Sequence, residues 1–305
     1  MHIHTDLARE TREINPDIPG VRDEEEIHGD ASVNRIYIDT DEAAAILGKP
    51  AGRYITIEAP KLVLRDSALF RAVSRLVAKE LGTLLGALPG EALVLVAGLG
   101  NRYITPDALG PRVIEKTFIT RHIRERLPDI IGEPMRAVAA LAPGVLGTTG
   151  METLEVLKGV IQHTRPAALV VVDALASRRA GRINTAIQLT DTGIHPGSGV
   201  GNDGRLGLTP ATLGVPVVAI GVPTVVMAIT ILRDALTLIA KRSESYVEEE
   251  MLQAAEGVIN DTLGPMIVTP KEIDTIIADM AGILAEAINL ALHKPYFDKI
   301  KELMA

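Results

Sequence analysis

The 305-residue sequence contains no cysteine and no tryptophan, and only five tyrosines and three phenylalanines. Without cysteine the chain can form neither disulfides nor thiolate metal sites, and it cannot use a cysteine nucleophile. Few aromatic side chains are left to stack on bases or sugars. The net charge of −8 also argues against nucleic-acid binding, which draws its affinity from cations placed on phosphates. We therefore expect neither a thiolate-based function nor a nucleic-acid partner.

The rest of the composition is that of a folded globular protein, with 47% hydrophobic and 23% charged residues. The N-terminus lacks the basic and apolar regions of a secretory signal. One long uncharged stretch, residues 206–232, contains three prolines, which argue against a membrane span. We interpret it as a buried strand at 215–220 followed by a helix from Pro223 to about Lys241. The sequence thus predicts a cytoplasmic protein without a membrane partner.

Acidic residues are concentrated in the first part of the chain. Residues 1–60 hold thirteen Asp and Glu but only six Arg and Lys, and four of the acids are consecutive at residues 23–26. A run of like charges usually lies in a solvated loop, which is the first interpretation of this segment. The alternative is a docking surface for a basic partner.

Short apolar runs alternate with helical patterns over most of the sequence. Continuous apolar runs, as strands buried on both faces require, lie at residues 92–97, 136–141, 168–172 and 215–220. Helical patterns lie at residues 66–85, 105–127 and 151–163. Two shorter β-like runs, at 35–39 and 54–58, come before them, and the pattern from 244 to 303 is helical throughout. This order predicts an α/β fold: a three-layer sandwich with a mixed, mostly parallel central sheet and a helical C-terminal part.

Two aspartates are predicted to lie at the carboxyl edge of this sheet, where open α/β sheets bind their ligands. Asp107 follows the strand at 92–97, and we expect Thr105 to cap the helix that carries it. Asp173 directly follows the strand at 168–172. Each also has a structural interpretation, because an aspartate can complement a helix dipole or cap a loop. When two carboxyl groups lie close together, one can be ionised and act as a general base while the other stays protonated and acts as a general acid.

A glycine-rich segment at residues 191–209 is the third candidate for function, because long loops between packed elements often carry it. It begins with the Asp-Thr-Gly of pepsin-like proteases, but those are all-β folds that need two such loops. Residues 199–204 match G-x-G-x-x-G without the preceding strand that a dinucleotide site requires. Glycine lets the backbone approach a bound chain closely, and the residues that we expect to bind substrate are Asp191, His195, Gly197 and Gly199.

Three motifs together resemble the germination protease of spore-forming bacteria. They are Gly98-Leu99-Gly100-Asn101 with residues 105–111 (Thr-Pro-Asp-Ala-Leu-Gly-Pro), residues 172–178 (Val-Asp-Ala-Leu-Ala-Ser-Arg) and residues 191–199 (Asp-Thr-Gly-Ile-His-Pro-Gly-Ser-Gly). The resemblance implies an aspartic-type endopeptidase without metal or cofactor, which acts on small acid-soluble spore proteins in the spore core. It further implies a fold similar to that of hydrogenase maturation proteases, a homotetramer, and a catalytic pair formed by Asp107 and Asp173.

The N-terminus resembles the sequence at which this family cuts its substrates and itself. Residues 5–10, Thr-Asp-Leu-Ala-Arg-Glu, match that pattern and place the cut between Asp6 and Leu7. The resemblance therefore implies a zymogen with a propeptide at residues 1–6 and a single α/β peptidase domain at residues 7–305. Because few apolar residues precede Ile14, we expect the segment to be flexible enough to enter an active site.

Two alternatives remain open from the sequence. The first is a metal-dependent peptidase of the hydrogenase-maturation type, in which Asp107, Asp173 and His195 are the ligands. The second is a non-catalytic protein that binds basic spore proteins through residues 23–26.

Overall fold

One mixed sheet organises the chain. The computed structural model describes residues 5–126, 135–197, 206–242, 257–258, 262, 266–293 and 297. Within these residues the strand order is β1-β2-β3-β7-β8-β6-β4-β5, and β9 pairs with β8. The strands are β1 Val21–His28, β2 Ala31–Ile38, β3 Gly52–Glu58, β4 Val94–Gly98, β5 Val138–Leu141, β6 Ala168–Ser177, β7 Ala186–Thr190, β8 Val217–Met227 and β9 Ile267–Val268.

The sheet has a parallel and an antiparallel half. Strands β5, β4, β6 and β8 pair in parallel. Strands β1, β2, β3 and β7 form an antiparallel extension that joins the parallel half through β8. The predicted α/β class with a mixed sheet and parallel central strands is confirmed.

Helices cover both faces of the sheet. The helices are α1 Ala8–Ile14, α2 Asp41–Leu47, α3 Ser67–Leu85, α4 Leu109–Ile114, α5 Arg121–Arg126, α6 Leu146–Thr149, α7 Thr153–Thr164, α8 Pro210–Leu213, α9 Ala228–Arg242 and α10 Ile273–His293. Because successive strand residues face opposite sides, Val94 and Val96 pack in the cluster with α3, α4 and α10. Leu95 and Ala97 pack in the cluster on the other face with α7 and α8. The sheet thus lies between two helical layers, and this arrangement confirms the predicted three-layer sandwich.

Helix α10 forms the centre of one helical layer. Among the described helices, it is the one with the length and hydropathy that could cross a membrane. Its residues Ile277, Leu284 and Ile288 are buried in the cluster that α3 and the sheet share. Its apolar character is thus used in core packing, as expected for a helix buried on several sides.

The acidic run at residues 23–26 lies in strand β1, so the expectation of a loop was wrong. Each of the four residues pairs with β2 in antiparallel register, from Asp23 opposite Ile36 to Glu26 opposite Val33. Among the residues that the structure describes, only β2 pairs with β1, and the side chains of β1 are exposed along most of its length. Charges on an edge strand hinder pairing with another chain, which gives the run a structural role that the charge pattern alone did not indicate.

The stretch around Pro223 remains in the sheet, and the prediction that a helix starts there was wrong. Strand β8 continues to Met227, and α9 begins at Ala228. Pro223 lies opposite Leu175, where the register of β6 and β8 is irregular, so its missing N–H group costs no regular ladder bond. The β-branched residues that follow it favour a strand over a helix.

The helix predicted at residues 105–127 is broken. Residues Thr105–Asp107 form a short 3-10 turn, and Thr105 donates its hydroxyl to Asp274 instead of capping the helix. Between α4 and α5 the backbone N–H of Phe118 donates to Asn289 Oδ1 at 2.8 Å, so a contact with α10 replaces a helical bond. Residue 127 lies outside the described residues.

The C-terminal part is not helical throughout. Residues Ile267–Val268 form β9, which pairs with the end of β8. Helix α10 confirms the helical pattern for its own length, and most of the remaining residues between 244 and 303 lie outside the described part of the chain.

Candidate active site

The topology creates a crevice between the ends of β4 and β6. The chain leaves β4 for its neighbour β5 and then returns to the other side of β4 as β6. The connection after β4 includes α4 on one face of the sheet, and the connection before β6 includes α7 on the opposite face. Such a reversal opens a crevice at the carboxyl ends of the two strands, which is the usual ligand site of open α/β sheets.

Asp107 is held at this crevice by the turn that follows β4. Its Oδ2 accepts a hydrogen bond from the backbone N–H of Asn101 at 2.7 Å. Gly100 adopts a positive φ of 105°, and a Cβ atom there would lie 2.0 Å from the carbonyl oxygen of Asp107. Glycine at position 100 is therefore required for the turn and for the close approach of Asp107. Burial raises the pKa of the Asp107 carboxyl, and the Asn101 N–H partly opposes this effect.

Asp173 lies inside β6, four residues before the end of the strand, and not directly after it as predicted. Strand β4 ends at Gly98 opposite Val172, so β6 extends past its neighbour from Asp173 onward. The side chain is only 5% exposed, and its Oδ1 accepts a hydrogen bond from the backbone N–H of Ala174 at 2.9 Å. Burial, and then the nearby charge of Asp107, raise the pKa of the Asp173 carboxyl well above its ordinary value.

Both aspartates line one cleft of about 560 Å³. Its wall includes the turn after β4, the end of β6 and part of the glycine-rich segment. His195 and Gly197, two of the residues expected to bind substrate, contribute to this wall. The structure thus brings the two predicted catalytic residues and two of the four predicted substrate-binding residues together at one edge of the sheet.

The other two predicted substrate-binding residues are not in this group. Asp191 is absent from the residues that line the cleft, and both of its carboxylate oxygens are bound by Arg53, through the backbone N–H at 2.8 Å and the side-chain Nε at 2.7 Å. These bonds tie the end of β7 to the start of β3. Gly199 lies outside the described residues.

The N-terminal segment, which the structure describes from residue 5 onward, also lies in the cleft. Asp6 lines the cleft beside both aspartates. Its backbone N–H donates to the carbonyl of Ala176, and its Oδ2 accepts from the N–H of Ala176 at 2.8 Å. Leu7 is fully buried, and Ala8, which begins α1, is 1% exposed. Two buried apolar side chains and a set of backbone bonds hold the segment in place.

A smaller cavity next to the cleft contains residues that the sequence analysis did not identify. Lys49, Tyr54 and Gln188 line it together with Asp6 and His195. Gln188 is a polar residue in the middle of β7, whose five residues are all buried. The signal available in the sequence was a glutamine inside a mostly apolar, strand-like run. A polar side chain that becomes buried in such a strand needs hydrogen-bond partners.

The described residues offer no group of three or more His, Asp or Glu side chains arranged to hold a metal ion. Asp107, Asp173 and His195 line the same cleft without forming such a group. The metal-dependent alternative therefore has no ligand set in the part of the chain that the structure describes.

The fold and the cleft define an α/β protein with a crevice at the carboxyl edge of its parallel strands, lined by a pair of carboxyl groups. The family model described as germination protease matches residues 2–256 of the sequence. The chain belongs to the germination protease family, and it is accordingly a peptidase, a hydrolase of peptide bonds.

Relatives that match over nearly their whole length support this assignment. A germination protease of Caldanaerobacter subterraneus subsp. tengcongensis is 44% identical over 97% of this chain and 96% of its own length. One from Clostridium acetobutylicum is 42% identical over 95% of each chain, and one from Bacillus subtilis is 39% identical over 96% of this chain and 94% of its own. A solved [NiFe] hydrogenase maturation protease of Thermococcus kodakarensis KOD1 is 20% identical over 68% of this chain and 98% of its own, with a TM-score of 0.35.

Proposed function

We propose that this chain is an aspartic-type endopeptidase made as a zymogen, which removes its own residues 1–6 and then cleaves small acid-soluble spore proteins. The observation that carries the proposal is the pair Asp107 and Asp173 at the edge of one cleft, with Asp6 in the same cleft. The substrate class, a homotetrameric assembly and a place in the spore core follow from the family resemblance. Size measurement by light scattering tests the assembly.

The two aspartates differ in a way that suits acid–base catalysis. Asp173 is almost completely buried and has the more strongly raised pKa, so it binds a proton more tightly than Asp107 does and acts as the general acid. Asp107 is less buried, and its carboxylate acts as the general base that takes a proton from the attacking water. The water attacks the carbonyl carbon, and Asp173 donates its proton to the leaving nitrogen.

The position of residues 5–8 supports self-cleavage at the bond between Asp6 and Leu7. The segment is held along the end of β6 through Ala176, three residues after Asp173. A chain held there occupies the cleft that a substrate needs, so the intact N-terminus blocks access by other chains. Removal of residues 1–6 then deletes the backbone and side-chain bonds of Asp6 and opens this part of the cleft.

N-terminal sequencing of purified protein held at about pH 5 and about pH 7 tests self-cleavage. We expect a new terminus that begins Leu7-Ala8-Arg9 in the wild type, formed faster at the lower pH because Asp173 must carry its proton. The Asp173→Asn variant should stay intact. The same new terminus in that variant would show that another protease makes the cut.

Incubation with a purified small acid-soluble spore protein, followed by mass spectrometry, tests the substrate. The family pattern predicts cleavage after the first Glu of a Thr/Ser-Glu-Phe/Ile/Leu-Ala-Ser-Glu sequence. A substrate variant with that Glu replaced by Lys is the matched control, and it should stay uncut at that site. Binding without any cleavage by wild-type protein would instead favour the non-catalytic alternative.

A further inference from the structure

The carbonyl oxygen of Asp6 accepts hydrogen bonds from two side chains that come from separate parts of the fold. Lys49, in the turn between α2 and β3, donates through Nζ at 3.1 Å. Gln188, in β7, donates through Nε2 at 3.0 Å. This oxygen belongs to the bond that the proposed function assigns to self-cleavage, and the present inference rests on that proposal.

Gln188 contacts the backbone on both sides of Leu7. While its Nε2 donates to the Asp6 carbonyl, its Oε1 accepts the N–H of Ala8 at 2.7 Å. One amide side chain thus pairs with the carbonyl of one residue and the N–H of the second residue after it, as a neighbouring parallel strand does. The contact recognises an extended backbone and does not depend on the identity of the enclosed side chain.

Lys49 directs its ammonium group at backbone oxygens of the same segment. Its Nζ also donates to the carbonyl of Thr5 at 3.0 Å. Burial lowers the pKa of the Lys49 ammonium, and the negative charges of Asp6 and Glu10 oppose this effect. A partly desolvated cation beside a carbonyl interacts more strongly with a developing negative charge than it would in water.

We propose that Lys49 and Gln188 are catalytic residues that form the oxyanion site of this peptidase. When the water oxygen bonds to the Asp6 carbonyl carbon, the carbonyl π electrons move to the oxygen, which becomes an oxyanion held by Lys49 Nζ and Gln188 Nε2. When the carbonyl re-forms, the bond between that carbon and the Leu7 nitrogen breaks, and the nitrogen takes up a proton. The products are a carboxylate at Asp6 and a new amino terminus at Leu7, and water is the co-reactant. In a separate substrate, the same two donors bind the carbonyl oxygen of the residue before the cut.

Substitutions of the two donors test the proposal. Lys49→Met removes the ammonium and keeps an apolar side chain of similar length. Gln188→Glu keeps the acceptor for the Ala8 N–H and replaces the donor to Asp6 by an oxygen. Lys49→Arg retains a cationic donor, and Lys61→Met is the matched control because Lys61 forms an exposed ion pair with Asp30. The rate of self-cleavage at Asp6–Leu7 and the urea midpoint are measured on the full-length chain for each variant.

We expect Lys49→Met and Gln188→Glu each to slow self-cleavage by ~10²–10³-fold, the loss typical of one oxyanion donor. Lys49→Arg should keep more of the rate than Lys49→Met, and Lys61→Met should cleave like the wild type. Once each variant has completed its self-cleavage, a peptide with the sequence of residues 1–12 supplies a second readout in trans, on which kcat should fall while KM changes little, since the donors act mainly on the transition state.

The outcomes separate this inference from the function on which it rests. If the wild type cleaves and both variants cleave at close to its rate, Lys49 and Gln188 are not the oxyanion site, and the proposed function stands. Loss of rate in only one variant would remove the other residue from the site. A wild type that never cuts at Asp6–Leu7 would overturn the self-processing proposal and this inference with it. If the urea midpoint of a variant falls so far that unfolding explains its loss of rate, the substituted residue has a structural role instead.

Discussion

The carboxylate of Glu10 lies 3.3 Å from the guanidinium of Arg182, and both residues are almost fully buried. The same carboxylate accepts hydrogen bonds from the backbone N–H groups of Arg178 and Arg179, at 2.7 and 3.0 Å, and from the Ser177 hydroxyl. Helix α1 is thereby tied to the loop that follows β6, the strand that carries Asp173. Helix α1 therefore helps to hold in place the strand that carries Asp173, and with it the candidate active site.

The first prediction concerns this tie. Glu10→Ala removes the carboxylate that pairs with the buried guanidinium and accepts from four other donors, the two N–H groups and the hydroxyls of Ser177 and Thr5. Arg182 keeps its contacts with Glu13 and Glu58. We expect the free energy of unfolding to fall by about 3 kcal/mol, as for other broken buried ion pairs. Urea denaturation measures the change, and Glu24→Ala, at an exposed position of β1, is the control that should leave it nearly constant. Equal stability of both variants would show that the tie contributes little.

The second prediction concerns the catalytic pair. Asp107→Asn and Asp173→Asn preserve shape but remove the proton-transfer group, so each should lower peptidase activity by ~10²–10⁴-fold while circular dichroism stays unchanged. Because the two groups act on one reaction, the double variant should be little worse than either single variant. Near-normal turnover by either folded single variant would exclude that residue from the mechanism.

The third prediction follows from the raised pKa of Asp173. A carboxyl with a raised pKa in the folded state binds its proton more tightly when folded, so its contribution to stability is largest at low pH and is lost as the pH rises through that pKa. Asp173→Asn removes the free-energy cost of holding a proton on this buried carboxyl above its ordinary pKa, and we expect the variant to be more stable than the wild type at neutral pH. The two unfolding free energies should converge as the pH falls toward the ordinary pKa of 3.8. Asp17→Asn, at an exposed position, serves as the control, and a gap that widens toward low pH would contradict the sign.

The fourth prediction concerns the turn that holds Asp107. A Cβ atom at Gly100 would overlap the Asp107 carbonyl oxygen at 2.0 Å, and the positive φ adds strain. We expect Gly100→Ala to displace Asp107 and to lower kcat by at least ~10-fold, because small misplacements of reacting groups are costly. In Gly159→Ala the new Cβ meets no atom within 4 Å, so this variant should keep full activity. Wild-type kcat in Gly100→Ala would show that the turn tolerates the change.

The fifth prediction concerns Asp191. Its carboxylate holds Arg53 and thereby joins β7 to β3, outside the cleft wall. Asp191→Asn retains one acceptor oxygen, so we expect a moderate loss of activity through altered loop geometry. Steady-state kinetics with a spore-protein substrate measure the loss. If Asp191→Asn is inactive while Asp107→Asn is active, the catalytic pair contains Asp191 and not Asp107.

The parts of the fold that the sequence predicted are those determined by local pattern. The continuous apolar runs identified β4 and the first half of β6, because strands covered on both faces need apolar side chains throughout. The helical pattern at 66–85 matches α3 almost to the residue. Asp107 and Asp173 could be placed at one edge because the carboxyl ends of neighbouring parallel strands share that edge.

Elements that depend on a distant partner were not predictable in the same way. Residues 23–26 form a strand because β2 supplies its hydrogen-bonding partner, and Pro223 stays in the sheet because an irregular register with β6 accommodates it. Local preference argues against a strand at residues 23–26 and at Pro223 itself, although the β-branched residues after Pro223 favour one.

The sequence by itself determined the α/β class, the parallel core strands and the candidate aspartate pair, since each follows from the period of apolar residues and the direction of the chain. Only the tertiary structure decided that Asp6 lies in the cleft and that Lys49 and Gln188 meet at its carbonyl oxygen. Those contacts arise because β3 pairs with β7, which brings together residues that are remote in sequence. No local pattern encodes such a meeting, because it depends on which strands become neighbours when the whole sheet forms.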